Sequence, residues 1–186
     1  EIVQVLFERG AFTAADTANT SAVLAVFALG LPAFVLIKVL SPAYFAREDT
    51  KTPMRYAVIS LTANTLGSIA LFFLFRRLGW LPHLGIAVAT AVGGWLNAAL
   101  LWATLIKRGH FALDRPMVRS LAKIVLASVV MGIALFSVAV LLAAWFGRDQ
   151  GFLVQLGGLA SLIGAGFAVY ALAVLATGAL KIGQLR

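Results

Sequence analysis

Five stretches of this chain run for twenty residues or more without a charged side chain, and nothing constrains its fold more. They lie between Asp16 and Lys38, Arg55 and Arg76, Arg77 and Lys107, Lys123 and Arg148, and Asp149 and Lys181. At 1.5 Å per helical residue, each is long enough to cross a hydrocarbon core of roughly 30 Å. The stretches are too long for strands and lack the alternation of a membrane barrel. Only 12% of residues are charged and 62% are hydrophobic, which is too little charge to coat a soluble globule. The expected class is an all-α integral membrane protein of about five transmembrane helices, over about 18–40, 55–76, 83–106, 120–146 and 152–177. Glu1–Phe7 reads as the truncated end of a preceding helix, because it starts within an apolar run and has no basic leader. The chain is therefore expected to be a fragment.

Local signals frame the spans. Thr13 and Asp16 form a capping-box pattern before the first. Thr52-Pro53 places a capping hydroxyl before a first-turn proline at the second. Leu81-Pro82 opens the third and Arg115-Pro116 the fourth, while Gly147 and Gly151 bracket the last turn. Pro32 lies inside the first span, where it predicts a kink or hinge. Small residues four apart predict close helix contacts at Ala63 and Gly67, at Ala89 and Gly93, and at Ala160, Gly164 and Ala168.

Five crossings sort the loops onto two faces. One face carries Arg9, Arg76, Arg77 and Arg148. The other carries Lys38, Arg47, Lys51, Arg55, Lys107, Arg108, Arg115, Arg119, Lys123, Lys181 and Arg186. The positive-inside rule puts the second face in the cytoplasm, with the N-terminal end outside and the C-terminus inside. Topology thus accounts for the net charge of +8 without nucleic acid.

Few residues carry chemistry. Lys38 is the one charge partly embedded in a span. It either snorkels to the interface or meets an anionic group in a cavity. The segment Ser41–Arg55 reads as a dense charged loop, either solvated or a gate whose ion pairs form in only one state. Asn64 and Ser68 sit one turn apart, with Thr90 and Asn97 on the next span. They are either interhelical hydrogen-bonding groups or neutral ligands of an alkali cation. There is no cysteine, and the two histidines lie at opposite span ends. No span holds paired carboxylates, so an enzyme is not expected.

Three stretches carry a family resemblance: Leu6–Thr13 (LFERGAFT), Ala28–Arg55 (ALGLPAFVLIKVLSPAYFAREDTKTPMR) and Leu84–Leu100 (LGIAVATAVGGWLNAAL). Together they resemble the C-terminal half of the MurJ (MviN) family, lipid II flippases of the MOP transporter superfamily. That family has two six-helix lobes and two extra C-terminal helices. The resemblance implies that residues 1–110 end the C-terminal lobe and that 111–186 are the two extra helices. It implies translocation of lipid II, a polyprenyl-pyrophosphate-linked peptidoglycan precursor, by alternating access across the bacterial inner membrane. The pyrophosphate-binding arginines would lie in helices outside this sequence. Lys38 near the inner mouth, with Arg47 and Arg55 in a gate, would be this chain's contribution. The last two helices resemble the pair that forms a groove for the lipid tail. Asn64, Ser68 and Thr90 match positions where some members hold a cation, but Ser68 stands where an acid is expected. A coupling cation, Na+ or H+, is the one cofactor left open. The implied partners are lipid II, the bilayer and the missing N-terminal lobe. The alternatives are another lipid-linked oligosaccharide flippase of the superfamily or a non-transporting assembly partner. A polyprenyl-phosphate transferase would need Asp-rich or His-containing motifs that are not visible.

Overall fold

The computed structural model describes residues 2–8, 10–109, 115–142 and 151–176. Arg9, His110, Gly147, Arg148, Lys181 and Arg186, which enter the charge and turn expectations, lie outside the described residues. So do the side chains of Arg115 and Pro116.

Among the described residues the elements are all helices: α1 (Ile2–Phe7), α2 (Ala14–Phe45), α3 (Lys51–Arg77), α4 (Pro82–Lys107), α5 (Arg115–Leu141) and α6 (Phe152–Ala176). Five of them are long and apolar enough to cross a membrane. This is a multi-pass membrane protein. The short α1 precedes Gly10, which takes a positive φ of 59°.

Several helix ends follow the predicted chemistry. Thr13 and Asp16 form a complete capping box at α2. Pro82 stands in the first turn of α4. The end of α2 departs from expectation. Ser41–Arg55 is not one loop: α2 continues through Pro42 to Phe45, and α3 starts at Lys51. Ser41 supports that last turn by donating to the Ile37 carbonyl at 2.7 Å. The start of α3 also differs. Thr52 does not cap it with its own hydroxyl. Asp49 accepts from the Thr52 N–H at 3.0 Å instead, because a carboxylate just ahead of a helix complements its free amides.

The chain divides into two compact units, Gly10–Ala112 and Glu1–Arg9 with Leu113–Arg186. In the first, α4 is the centre. It packs along both α2 and α3, which scarcely touch each other. Glycines set how close the helices come. A Cβ on Gly85 would stand 2.7 Å from the backbone carbonyl of Leu71, and one on Gly93 would stand 3.0 Å from Asn64 Cβ. On α2, a Cβ on Gly30 would meet the backbone of Ala91 at 3.1 Å. Contact this close brings dispersion attraction to helices that gain little from the hydrophobic effect in lipid. Leu40, Tyr44, Leu101 and Leu105 form the buried cluster at the loop end of this unit.

In the second unit α5 packs on α6, and α1 also lies against α6. Val5 and Leu159 are buried together, with Leu142 and Leu162 against them. The contact face of α6 is not the predicted one. Gly158, Leu159 and Gly166 are buried, whereas Ala160, Gly164 and Ala168 are exposed. The stripe and the buried face lie on different sides of one helix, and four-residue spacing alone does not say which side is used.

Candidate functional site

In the unit Gly10–Ala112, polar side chains of neighbouring spans meet one another. The structure brings Asn64, Ser68 and Thr90 together. Asn64 Oδ1 accepts from Ser68 Oγ at 3.2 Å and from Thr90 Oγ1 at 3.3 Å. Thr90 also donates to the Ile86 carbonyl at 2.9 Å. Its one proton is therefore shared, and the shorter bond takes most of it. These are neutral groups already satisfying one another, and neither α3 nor α4 contains a carboxylate. Hard cations favour oxygen ligands that include carboxylates. These three side chains offer neutral oxygens only, so a cation held here would need an acid from outside α3 and α4. What they make is a hydrogen-bonded tie between α3 and α4.

The cluster lies at one end of a cavity of about 350 Å³, bounded by Phe34 and Ile37 of α2, Ser60 and Asn64 of α3, and Gly94 and Asn97 of α4. Asn97 Oδ1 is buried here and accepts no hydrogen bond. Ser60 is 8% exposed and donates back to the Ala57 carbonyl at 3.0 Å.

The proposed gate cations do not converge. Lys38 is exposed, two positions before the buried Leu40. Arg47 donates to the Ala43 carbonyl at 2.7 Å and so closes the end of its own helix. Arg55 is exposed on α3. Pro32 lies within α2, which shows no break in its helical run. Next to it Trp95 Nε1 donates to the Leu29 carbonyl at 3.0 Å and fastens α4 to α2.

A different set of residues closes the loop end. Arg108 donates from Nη1 to Asp49 Oδ2 at 2.6 Å and from Nη2 to Thr52 Oγ1 at 3.1 Å. Thr52 in turn donates its hydroxyl to Asp49 Oδ2 at 2.7 Å. The hydrogen bonds from Arg108 first, and then from Thr52, hold the Asp49 carboxyl far below the usual carboxylate range. The same bond to Asp49 raises Arg108 above its ordinary value. Deeper in, Tyr44 donates to the Leu101 carbonyl at 2.6 Å, and the Tyr56 hydroxyl meets that of Thr104 at 2.6 Å. Sequence reading missed this clamp, since Asp49 and Arg108 are 59 positions apart and each looks like a solvated interfacial charge. The one local signal was the helix-ending Arg108-Gly109, with Gly109 at a φ of 68°.

In the second unit, a cavity of about 540 Å³ is lined by apolar residues of α5 and α6, among them Leu135, Phe136, Leu162 and Phe167. Tyr170 brings the hydroxyl on that wall.

Residues 1–155 match the family model described as lipid II flippase MurJ. The chain is 41% identical over its whole length to a probable lipid II flippase MurJ of Rhizobium tropici, and covers 34% of that protein. It is 39% identical to the similarly named protein of Rhizobium meliloti and 38% identical to that of Vibrio cholerae, again over the whole chain and 34% of each relative. The chain therefore spans about a third of the length of these curated relatives. With a match over most of its residues and five apolar helices in place, the chain belongs to the MurJ family of lipid II flippases.

Proposed function

We propose that this chain is the C-terminal part of a flippase that moves lipid II across the bacterial inner membrane by alternating access. The observation that carries the reading is the whole-chain likeness to relatives named as probable lipid II flippases. The geometry supports it. The unit Gly10–Ala112 gathers its polar groups inside the spans and ties its three long helices at one end. A lobe that rocks as a body needs such a tie. The apolar wall between α5 and α6 suits a polyprenyl tail. The lipid's headgroup chemistry belongs to segments outside this sequence. In this reading residues 1–110 end one lobe, 111–186 are the two appended helices, and the other lobe of the same protein is the obligatory partner. The clamped end, rich in Lys and Arg, is cytoplasmic, and the N-terminal end is periplasmic. The protein is a transporter and performs no covalent chemistry.

Within this mechanism the Asp49–Arg108 bridge supplies the ion pair of the gate region that holds Arg47 and Arg55. Lys38 keeps a separate role. Its exposed ammonium reaches an anionic group at the inner mouth, whether of substrate or of a neighbouring segment. The test is viability of cells depleted of their own flippase and carrying the full-length protein with Lys38→Ala. The expected outcome is a several-fold loss of plating with protein levels unchanged. Normal growth would reduce Lys38 to a snorkelling side chain. Failure of the unaltered full-length protein to support growth would overturn the flippase reading itself.

A further inference from the structure

Pro32 stands near the midpoint of α2, and the helix runs through it without a break. A proline has no N–H to give, so the Ala28 carbonyl receives no bond from position 32, and the proline ring crowds that carbonyl as well. The turn Ala28–Pro32 thus holds one bond fewer within its own helix. In a membrane span such a turn is a natural place to bend, and neighbouring helices are what make it tolerable.

Helix α4 supports α2 on both sides of the proline. Before it, Trp95 Nε1 donates to the Leu29 carbonyl at 3.0 Å. The turn that is one bond short within α2 gains one from α4. Gly30 lies so close to α4 that a Cβ there would stand 3.1 Å from Ala91 Cα. After the proline, Ala33 is fully buried. A Cβ on Gly94 would meet the Phe34 ring at 3.2 Å, and one on Gly30 would meet the same ring at 3.6 Å. That ring therefore reaches back across the proline turn, seated on a glycine of each helix. Gly94 and Trp95 are adjacent in α4, so a single turn of α4 makes both contacts. All of these partners belong to α2 and α4, and the contacts do not depend on what surrounds the unit.

We infer that α4 splints the proline turn of α2. Trp95 and the Phe34–Gly94 seat make Pro32 a fixed point of the helix rather than a hinge, and α2 and α4 move together. Trp95 is a positioning residue that acts through the α2 backbone. Transport then comes from movement of the unit as a body and not from bending of α2. That last consequence rests on the flippase reading proposed above, whereas the splint does not.

The test is a double-mutant cycle in the full-length protein. Trp95→Phe keeps an aromatic ring and removes the donor. Pro32→Ala gives position 32 an N–H and relieves the crowding. Melting temperature in detergent is read for the parent, each single variant and the pair. The splint predicts that Trp95→Phe lowers the melting temperature by a few degrees in the parent and by much less in the Pro32→Ala background. Tyr44→Phe, about three turns further along α2, should cost the same in either background, since distant sites add. Equal losses from Trp95→Phe in both backgrounds would overturn the splint, because the tie would then have nothing to do with the proline. If Trp95→Phe alone fails to accumulate, its rescue by Pro32→Ala shows the same coupling, and failure of rescue counts against it. The second readout is lipid II at the outer face of cells that depend on the variant. Pro32→Ala should leave it at the parent's level. Its loss, with protein amount and melting temperature unchanged, would mean that α2 must bend at Pro32 and would overturn the inference. If the parent itself moves no lipid II, the flippase reading fails while the melting cycle still decides the splint.

Discussion

The two units of this molecule are built from helices of similar length and apolarity, yet they are held in different ways. In Gly10–Ala112 the helices meet backbone to backbone at Gly30, Gly85 and Gly93. Side-chain hydrogen bonds then cross between them, from Trp95 to α2, from Tyr44 to α4, and from Thr90 and Thr104 to α3. In the unit containing α5 and α6, Gly166 meets the movable end of the Leu135 side chain. The hydroxyls of Ser128 and Ser137 turn back to carbonyls of their own helix. The first design fixes register and angle. The second leaves a largely apolar wall. A unit that must transmit motion and one that must accommodate a lipid chain would differ in this way.

The comparison can be broken most directly at its glycines. Gly85→Ala forces a methyl to within 2.7 Å of a backbone carbonyl that cannot move aside. It should destabilise the full-length protein by about 1–3 kcal/mol or more, read as a lower melting temperature in detergent. Gly164→Ala in α6 meets open space and should be neutral or stabilise by up to about 1 kcal/mol through helix propensity. Equal effects of the two would erase the distinction between the units. The next largest effect belongs to Tyr44→Phe. It removes a buried bond to the Leu101 carbonyl and should cost about 0.5–1.5 kcal/mol, again as a shift in melting temperature.

The clamp sharpens the comparison through pH. The lowered pKa of Asp49 means that the folded state holds this carboxylate more tightly charged than the unfolded chain does. Its contribution is therefore fully present above about pH 4 to 5 and is lost as pH falls through the lowered value. The stability gap between the parent and Asp49→Asn should be constant from pH 6 to 8 and should close only in strong acid. A gap that changes across pH 6 to 8 would mean that some other group controls the clamp. Because the pair is solvent-accessible, raising salt should narrow the gap. That is the smallest effect of the set.

The spans were legible because a membrane leaves a simple trace: charges stop for twenty residues and then resume. The capping box at Thr13 was legible because it is local. The Asn64–Ser68–Thr90 tie could be read from residue type and spacing on adjacent spans. Residues related only through the fold could not be read. Asp49 and Arg108 meet because α4 returns to the loop that α3 leaves, and neither looks unusual alone. Gly85 extends the Ala89–Gly93 stripe by one turn, but spacing alone did not mark it as the tightest point of the α3–α4 contact. Ala160, Gly164 and Ala168 carried the marking and lack the contact within their unit. Ser41-Pro42 looked like the end of a helix, but a proline near a C-terminus costs one hydrogen bond, and the buried Leu40 and Tyr44 hold the turn in place.

The central claim, that this chain completes a lipid II flippase, is most directly tested by following lipid II itself. Cells depleted of their own flippase would receive the full-length protein, residues 1–186 alone, or an empty vector. Lipid II at the outer face of spheroplasts would then be measured with an added enzyme that cleaves only what it can reach. The account predicts that the full-length protein restores cleavable lipid II, while residues 1–186 alone leave it at the vector level, since alternating access needs both lobes. Outer-face lipid II that does not respond to the full-length protein would contradict the account.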